Sequence, residues 1–469
     1  MNSPINATKF TQFREKVYQN FSRLEDASMD LLDALCSTPN ARSVPELSLS
    51  PHYHREHSSI YKTIEKSKMK GVLLHSLAAS VIPSPEKRSF WLFALDATPQ
   101  KRQFARSLTD RGYIHYPNPV GRNKPISIGH EYSTVAALPE RRENLSRSWV
   151  IPVGVRRIHS DEDKELVGSE QFNTILDDDK ELWHGELVAE VGDSRYSKAE
   201  YLHAVHKNHP NLISVVKVRG NRKLYNFIAP PEENPPNRPK FKGEPLKLDD
   251  PSTHRPPDAR TEFEVEKKKG KIHKIVMEMW TSMVMPGKNK PERIPMENYP
   301  FLLVKNTVFD KDDSEVYPYP QWLIVLGERR EELTLKEIYE SYDARSGLEH
   351  FFRFGKQKML MNSYQTPDTL REENWWHMTH MAYLTLWAAH SLSEHHPRPW
   401  ERHLPEHKKK IITPALVQRD FPRLISQFGT PAKSPKHRGK SPGRTKGTKL
   451  TRRERHPIIY KGKKRAPPT

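Results

Sequence analysis

Cysteine is nearly absent from this 469-residue chain. Cys36 stands alone, which rules out an intramolecular disulfide and any cysteine-rich zinc site. Long apolar runs are missing as well. Nothing approaches the roughly 18 apolar residues of a membrane helix, and the best run, Met69–Ile82, is shorter and contains His75. The N-terminus has no basic segment leading into an apolar stretch, so no signal peptide is expected. These gaps describe a soluble protein of a reducing cytoplasm, with no membrane partner. Acidic residues are scarce in one place: from Pro431 onward, 14 Lys or Arg accompany a single acid, Glu454. Of the formal charge of +19, +13 therefore sits in this tail, and the preceding 430 residues carry the other +6. The total points to a polyanionic partner, nucleic acid first, but the tail accounts for most of it.

Against that background one stretch stands out, Ser341–Leu360, within an expected helix over 331–360. At about 100° per residue, Tyr342, Arg345, Glu349 and Lys356 fall within an arc of about 60°. Ala344, Leu348, Phe351, Phe352 and Met359 lie on a neighbouring arc suited to a core. One carboxylate thus stands in line with a phenol, a guanidinium and an ammonium, three groups that bind phosphate well. The plainer alternative is a solvated charged face. The spacing Tyr342-x2-Arg345-x3-Glu349-x6-Lys356 resembles the YREK signature of a group of bacterial insertion-sequence DDE transposases. In that group the glutamate is the third metal-binding carboxylate of a ribonuclease-H-like domain, and two earlier aspartates at strand ends complete the set.

The chain offers both. Phe90–Leu95 is a continuous apolar run of strand length, as in a strand buried on both faces, and it ends in Asp96. Ile126–Leu138 and Trp149–Ile158 read as two further strands. The segment Gly129–Ser133 resembles one that follows the first aspartate in related transposases, where His130 would position the sheet or contact DNA. Leu187–Val191 is a short strand followed by Gly192 and Asp193, with Ser197 as the expected cap of a helix over 198–206. By resemblance, Asp193 is the second aspartate.

The rest of the chain frames these residues. Residues 1–88 read as helices, either a DNA-end-binding domain or a packing subdomain. His52, His54 and His57 read as a solvated loop, and Asp177–Asp179 as a solvated face, because neighbouring helix residues point apart. After strand Leu212–Val218, nine prolines fall in Pro230–Pro257. Strand-like runs then continue to Leu326, so that about 219–330 forms a β-rich insertion. The resembled group carries such an insertion, in which an aromatic stacks on a flipped base. Trp280 and Trp322 could serve there or fill the insertion's core. A long helix over 367–392 carries a tryptophan stripe for packing, together with His377 and His380, read as a surface or core pair. Beyond Gly429 the composition is that of a disordered basic tail, a DNA tether or a solubilising segment.

The resulting expectation is an α/β, ribonuclease-H-like mixed sheet with flanking helices and a β-rich insertion. It spans 89–392, between a helical N-terminal domain (1–88) and a C-terminal extension (393–469) ending in the disordered basic tail. The resemblance implies that Asp96, Asp193 and Glu349 hold two Mg2+ ions, with Mn2+ as a substitute, since hard cations take carboxylate oxygen. Tyr342, Arg345 and Lys356 would grip DNA at the terminal inverted repeats. The implied activity is strand cleavage at insertion-sequence ends and transfer into target DNA, through a hairpin intermediate, by a homodimer near the nucleoid. Two other functions remain open: a non-catalytic DNA-binding protein derived from a transposase, and a structure-selective nuclease.

Overall fold

Runs of branched and aromatic residues without polar alternation suit strands covered on both faces, and three such runs form the parallel part of the main sheet. They are β3 (Trp91–Lys101), β7 (Val188–Gly192) and β8 (Leu212–Val218), with β7 parallel to both others. The structure is a computed structural model. It describes residues 4–69, 74–116, 125–142, 145–146, 149–178, 180–229, 241–267, 270–288, 292–395, 411–436, 443, 445–449 and 451–460. The chain divides into two compact units, one of Met1–Pro83, Ala97–Asp163 and Glu349–Thr469, the other of Ser84–Asp96 and Lys164–Leu348. The twelve strands of the main sheet divide between them, and β3 contributes to both. Among the described residues, no helix is long and apolar enough to cross a membrane.

The second unit begins with the first half of β3 and holds β7, β8 and six antiparallel strands. These are β9 (Lys223–Phe227), β10 (Lys242–Lys247), β11 (Ala259–Glu266), β12 (Ile272–Val284), β13 (Phe301–Phe309) and β14 (Gln321–Leu326). Strand order runs β10-β9-β12-β13-β14-β8-β7-β3, with β11 on β12. The expected insertion is thus built onto the edge of β8 through β14, with Trp322 opposite Val218. A bulge between Trp280 and Met283, with Ser282 at φ 52°, bends β12 so that Met283 and Val284 reach β9. Part of the proline-rich segment (230–240) lies outside the described residues.

Helices α5 (Lys164–Leu176) and α6 (Ala199–His206) pack together in this unit. Helix α5 begins earlier and ends earlier than the expected helix at 169–182, because Trp183 turns inward. Trp183 is fully buried, 5.3 Å from Phe93 and 5.8 Å from Trp91, and its indole N–H donates to the Ile175 carbonyl. Burying a phenylalanine such as Phe93 or Phe172 contributes about 2 kcal/mol. The unit ends with α7 (Leu335–Ala344), started by a capping box in which Thr334 and Glu337 satisfy each other's backbone N–H.

The first unit contains α1 (Pro4–Asn20), α2 (Glu25–Ser37), α3 (His57–Lys66), α4 (Leu74–Ala79), α9 (Thr369–His395) and α10 (Pro414–Phe428). It also contains the pair β1 (Phe21–Arg23) and β2 (Lys68–Met69), the second half of β3, and the strands β4 (Gly112–His115), β5 (Ile126–Ala137) and β6 (Ile151–Ile158). Strand β5 borders β3 and pairs antiparallel with β4 through Ile126–Gly129 and with β6 through Glu131–Ala137. Helix α9 packs on β6 and on α1, α2, α3 and α10. The N-terminal helices therefore share a core with the C-terminal ones: Phe10 meets Phe421 and Phe428 edge-on, and Arg14 forms a buried, two-pronged ion pair with Asp33. The tryptophan stripe of α9 is core, with Trp376 stacked on Tyr132 at 4.0 Å.

The expected single helix over 331–360 is two helices. Helix α7 stops at Ala344, Arg345 is a turn residue, and α8 spans Ser346–Lys358. The N–H of Arg345 bonds to the Tyr342 carbonyl and that of Leu348 to the Arg345 carbonyl, three-residue steps that tighten the turn. The 60° arc expected for Tyr342, Arg345, Glu349 and Lys356 assumed unbroken α geometry, so it does not describe this segment.

Candidate active site

The parallel register of β3 and β7 sets the geometry of the two aspartates. Trp91 stands opposite Val188, and the pairing continues residue by residue to Ala94 opposite Val191. The pairing ends there, two residues short of Asp96 on β3 and of Asp193 after β7, and both carboxylates lie close enough to Tyr196 to act on its phenol. Asp193 follows directly on the last residue of β7, as expected. Asp96 does not end its strand, because β3 runs on through Thr98 and Pro99 to Lys101. What ends just before Asp96 is the parallel pairing with β7.

Local packing holds the pair in place. Asp193 Oδ1 accepts the Arg195 N–H at 2.8 Å, and the Tyr196 N–H donates to the Asp193 carbonyl, a tight turn that turns the chain into α6. Lys198 is the residue preceding α6, while Ser197, the expected cap, instead donates to the Ser194 carbonyl. Tyr196 is buried against Gly192, where a Cβ would lie 2.8 Å from its own Cβ. Burial, followed by the charges of Asp96 and Asp193, pushes the Tyr196 phenol well above its ordinary range. This tyrosine escaped notice in the sequence, although its place three residues after Asp193 marks it.

Arg345 reaches the same place from the opposite end of the unit's sequence. Its guanidinium lies 3.5 Å from Asp96 Oδ2, with both side chains partly exposed, and 5.9 Å from the centre of the Tyr342 ring. Tyr342 is buried and so supports Arg345 from below. Asp343, beside them, takes an ion pair from Lys267 of the β-rich region.

Beneath the aspartates sits a second polar group set. Glu190, in the middle of β7, is fully buried and accepts hydrogen bonds from the hydroxyls of Tyr201 and Ser214. His206 Nε2 lies 2.8 Å from Ser214 Oγ. Burial raises the Glu190 carboxyl to about 7, partly offset by the two hydroxyls, and lowers His206 to about 3.

In the first unit, Lys356 donates to Thr98 Oγ1 at 2.6 Å, which ties α8 to the second half of β3. Glu349 is exposed in the first turn of α8. Phe351, buried on the same helix, packs edge-on against Tyr383. His130 lies 2.8 Å from Glu372 and 3.0 Å from the Thr109 carbonyl, a position that braces the sheet. Glu372 also bonds Arg102 and Tyr132. Burial would raise its carboxyl, but His130 and Arg102 outweigh that and hold it below the ordinary range.

The remaining candidates have structural partners. Trp280 and Trp322 are buried, 5.5 Å apart, and the Trp280 indole donates to the Arg255 carbonyl, so both fill the core of the β-rich region. His380 is buried between Thr134 Oγ1 and the Trp376 carbonyl. His54 lies 3.5 Å from Asp30. Asp177 pairs with His209, and Asp179 lies outside the described residues.

The half-buried carboxylates of Asp96 and Asp193, both close to Tyr196, offer only oxygen and fit a hard divalent cation that keeps part of its water. A profile of the DDE superfamily endonuclease family matches residues 16–279. The matched span includes both aspartates and ends before Tyr342, Arg345, Glu349 and Lys356. No curated protein matches the chain.

Proposed function

Since the chain belongs to the DDE superfamily endonuclease family and so acts on DNA, we propose that it is a DDE transposase of the YREK group. It cleaves DNA at the ends of an insertion sequence and joins the freed 3′-hydroxyl to target DNA. The observation that supports this reading is that Asp96 and Asp193 both act on the buried Tyr196 phenol, just beyond the paired ends of β3 and β7, with Arg345 against Asp96.

In this reading Asp96, Asp193 and Glu349 are the metal-binding carboxylates, with two Mg2+ as the natural ions. When bound, such ions lower the pKa of an attacking water and stabilise a leaving 3′-oxygen. The chain's own residues do the rest. Arg345 and Lys356 grip the phosphate backbone, Tyr342 holds the Arg345 guanidinium in place, and Thr98 orients Lys356. A homodimer holds two terminal inverted repeats together. The domain expectation (1–88, 89–392 and 393–469) and a nucleoid location belong to the same proposal.

The test is Mg2+-dependent cleavage of DNA carrying the flanking inverted repeats, with wild type compared to Glu349→Ala. Cleavage lost in the variant while DNA binding persists is the expected result. Binding without cleavage by either protein refutes the catalytic reading, and equal cleavage by both removes Glu349 from the site.

A further inference from the structure

The basic C-terminal segment does not run free of the fold. Its far end, His456–Tyr460, lies along β4 and the loop before it. Ile459 forms a parallel bridge with Gly112, and its N–H donates to the Arg111 carbonyl at 2.8 Å. The His456 N–H donates to the Arg106 carbonyl at 2.9 Å. Tyr460 packs on Tyr113 with ring centres 5.1 Å apart and hydroxyls 3.3 Å apart. The buried Arg111 guanidinium joins the two chains, donating to the carbonyls of Arg102, Gln103, Leu108 and His456. The near end is held too: the Lys433 N–H donates to Asp26, and Arg55 donates to the Lys433 carbonyl.

Between these anchors the described residues Lys446, Lys449, Arg452, Arg453 and Arg455 are all exposed, and Glu454 is the one acid among residues 445–455. Described cations that lead directly into an anchored end have lost part of the chain entropy that a free tail would lose on binding. Cation side chains presented this way suit a polyanion with regularly spaced charges, and not a single small anion.

We propose that this pinned segment is a DNA-backbone-binding strap, and that its seat on β4 through Ile459 and Tyr460 is part of the DNA-binding surface. The proposal rests on DNA being the substrate but not on cleavage. The strap reads phosphate and no sequence, so it adds affinity to specific and non-specific DNA alike.

Two variants of the full chain test it, each measured for duplex DNA binding between 50 and 200 mM salt, on the order of the range where counterion release is read. Arg452→Ala/Arg453→Ala/Arg455→Ala removes charge. Its expected effect is a tenfold or greater loss of affinity and a log–log salt slope shallower by about 2 to 3. Ile459→Ser/Tyr460→Ala keeps the net charge but removes the seat. Faster tryptic cleavage at Arg452–Arg455, with an unchanged melting temperature, would verify the release, and a several-fold loss of affinity is expected. Unchanged affinity in the released variant overturns the strap in favour of a free electrostatic tether. Unchanged affinity and slope in the charge variant overturn any DNA role for these arginines. Wild type that binds no DNA would refute the proposed function itself, whereas wild-type binding with indifferent variants refutes the strap alone.

Discussion

Glu190→Gln should turn a pH-dependent part of the stability into a flat one. Glu190 is fully buried on β7, three residues before Asp193, with two hydroxyls for company and no cation bonded to it. Its carboxyl is raised from 4.5 to about 7. Below pH 4.5 the folded and unfolded chains both carry the proton, and the full stabilising contribution is present. As pH rises from 4.5 to about 7 the unfolded chain releases the proton while the folded chain keeps it, so stability falls. At about 1.4 kcal/mol per pH unit, the loss totals about 3 kcal/mol and is complete above the folded value. Glutamine keeps the shape and two hydrogen-bonding atoms, and the Tyr201 and Ser214 hydroxyls can turn to accept its N–H. The assay is urea unfolding of both proteins from pH 4.5 to 8.5, taking the difference between them at each pH, which cancels groups that titrate alike in both. The variant should gain on the wild type by about 3 kcal/mol between about pH 4.5 and 7 and then hold level. A difference that is flat, or that falls with pH, would refute the assignment of Glu190 as a buried acid protonated at neutral pH.

Other expectations follow from the same contacts. Asp96→Asn should abolish metal-dependent cleavage while leaving DNA binding within a few-fold, read in the same nicking and gel-shift assays. Lys356→Ala should weaken DNA binding across sequences and reduce the salt slope by about 1, because it removes a single cation. Arg102→Ala should cost about 3–5 kcal/mol, measured by urea unfolding, since it takes the buried guanidinium from Glu372 and leaves that carboxylate only His130 and Tyr132. Gly192→Ala should cost about 1–3 kcal/mol and reduce cleavage, because the new methyl meets the Tyr196 Cβ at 2.8 Å at the last strand residue before Asp193.

Much of the local structure was legible without coordinates. The strands Leu212–Val218 and Phe301–Phe309 have the bounds read from the sequence, because each opens on a run of four or five buried residues too short for a helix. Asp193 was recognisable as a strand-end aspartate because a short apolar run, a glycine and turn residues surround it. The helix break at Arg345 was not legible, since nothing in Asp343–Gly347 forbids a helix, and its tightened turn is held by three-residue hydrogen bonds. Nor was the docking of the C-terminal segment. Its composition is that of a disordered tail, and the contacts that hold His456–Tyr460 come from β4 and Arg111, over 300 positions away.

Residue chemistry and short-range periodicity are properties of the chain, so the sequence by itself determined which residues carry carboxylate and phosphate-binding groups. It also determined which stretches are buried strands, and that the charge gathers at the C-terminus. Register and long-range pairing depend on which strands meet, and here tertiary structure decided. It brought Asp96 and Asp193 to the same tyrosine, Tyr196, set Arg345 against Asp96, joined the β-rich region to β8 through β14, and buried Trp280 and Trp322. A single-residue slip of β3 against β7 would leave every propensity intact and turn the side chains of one strand to the opposite face.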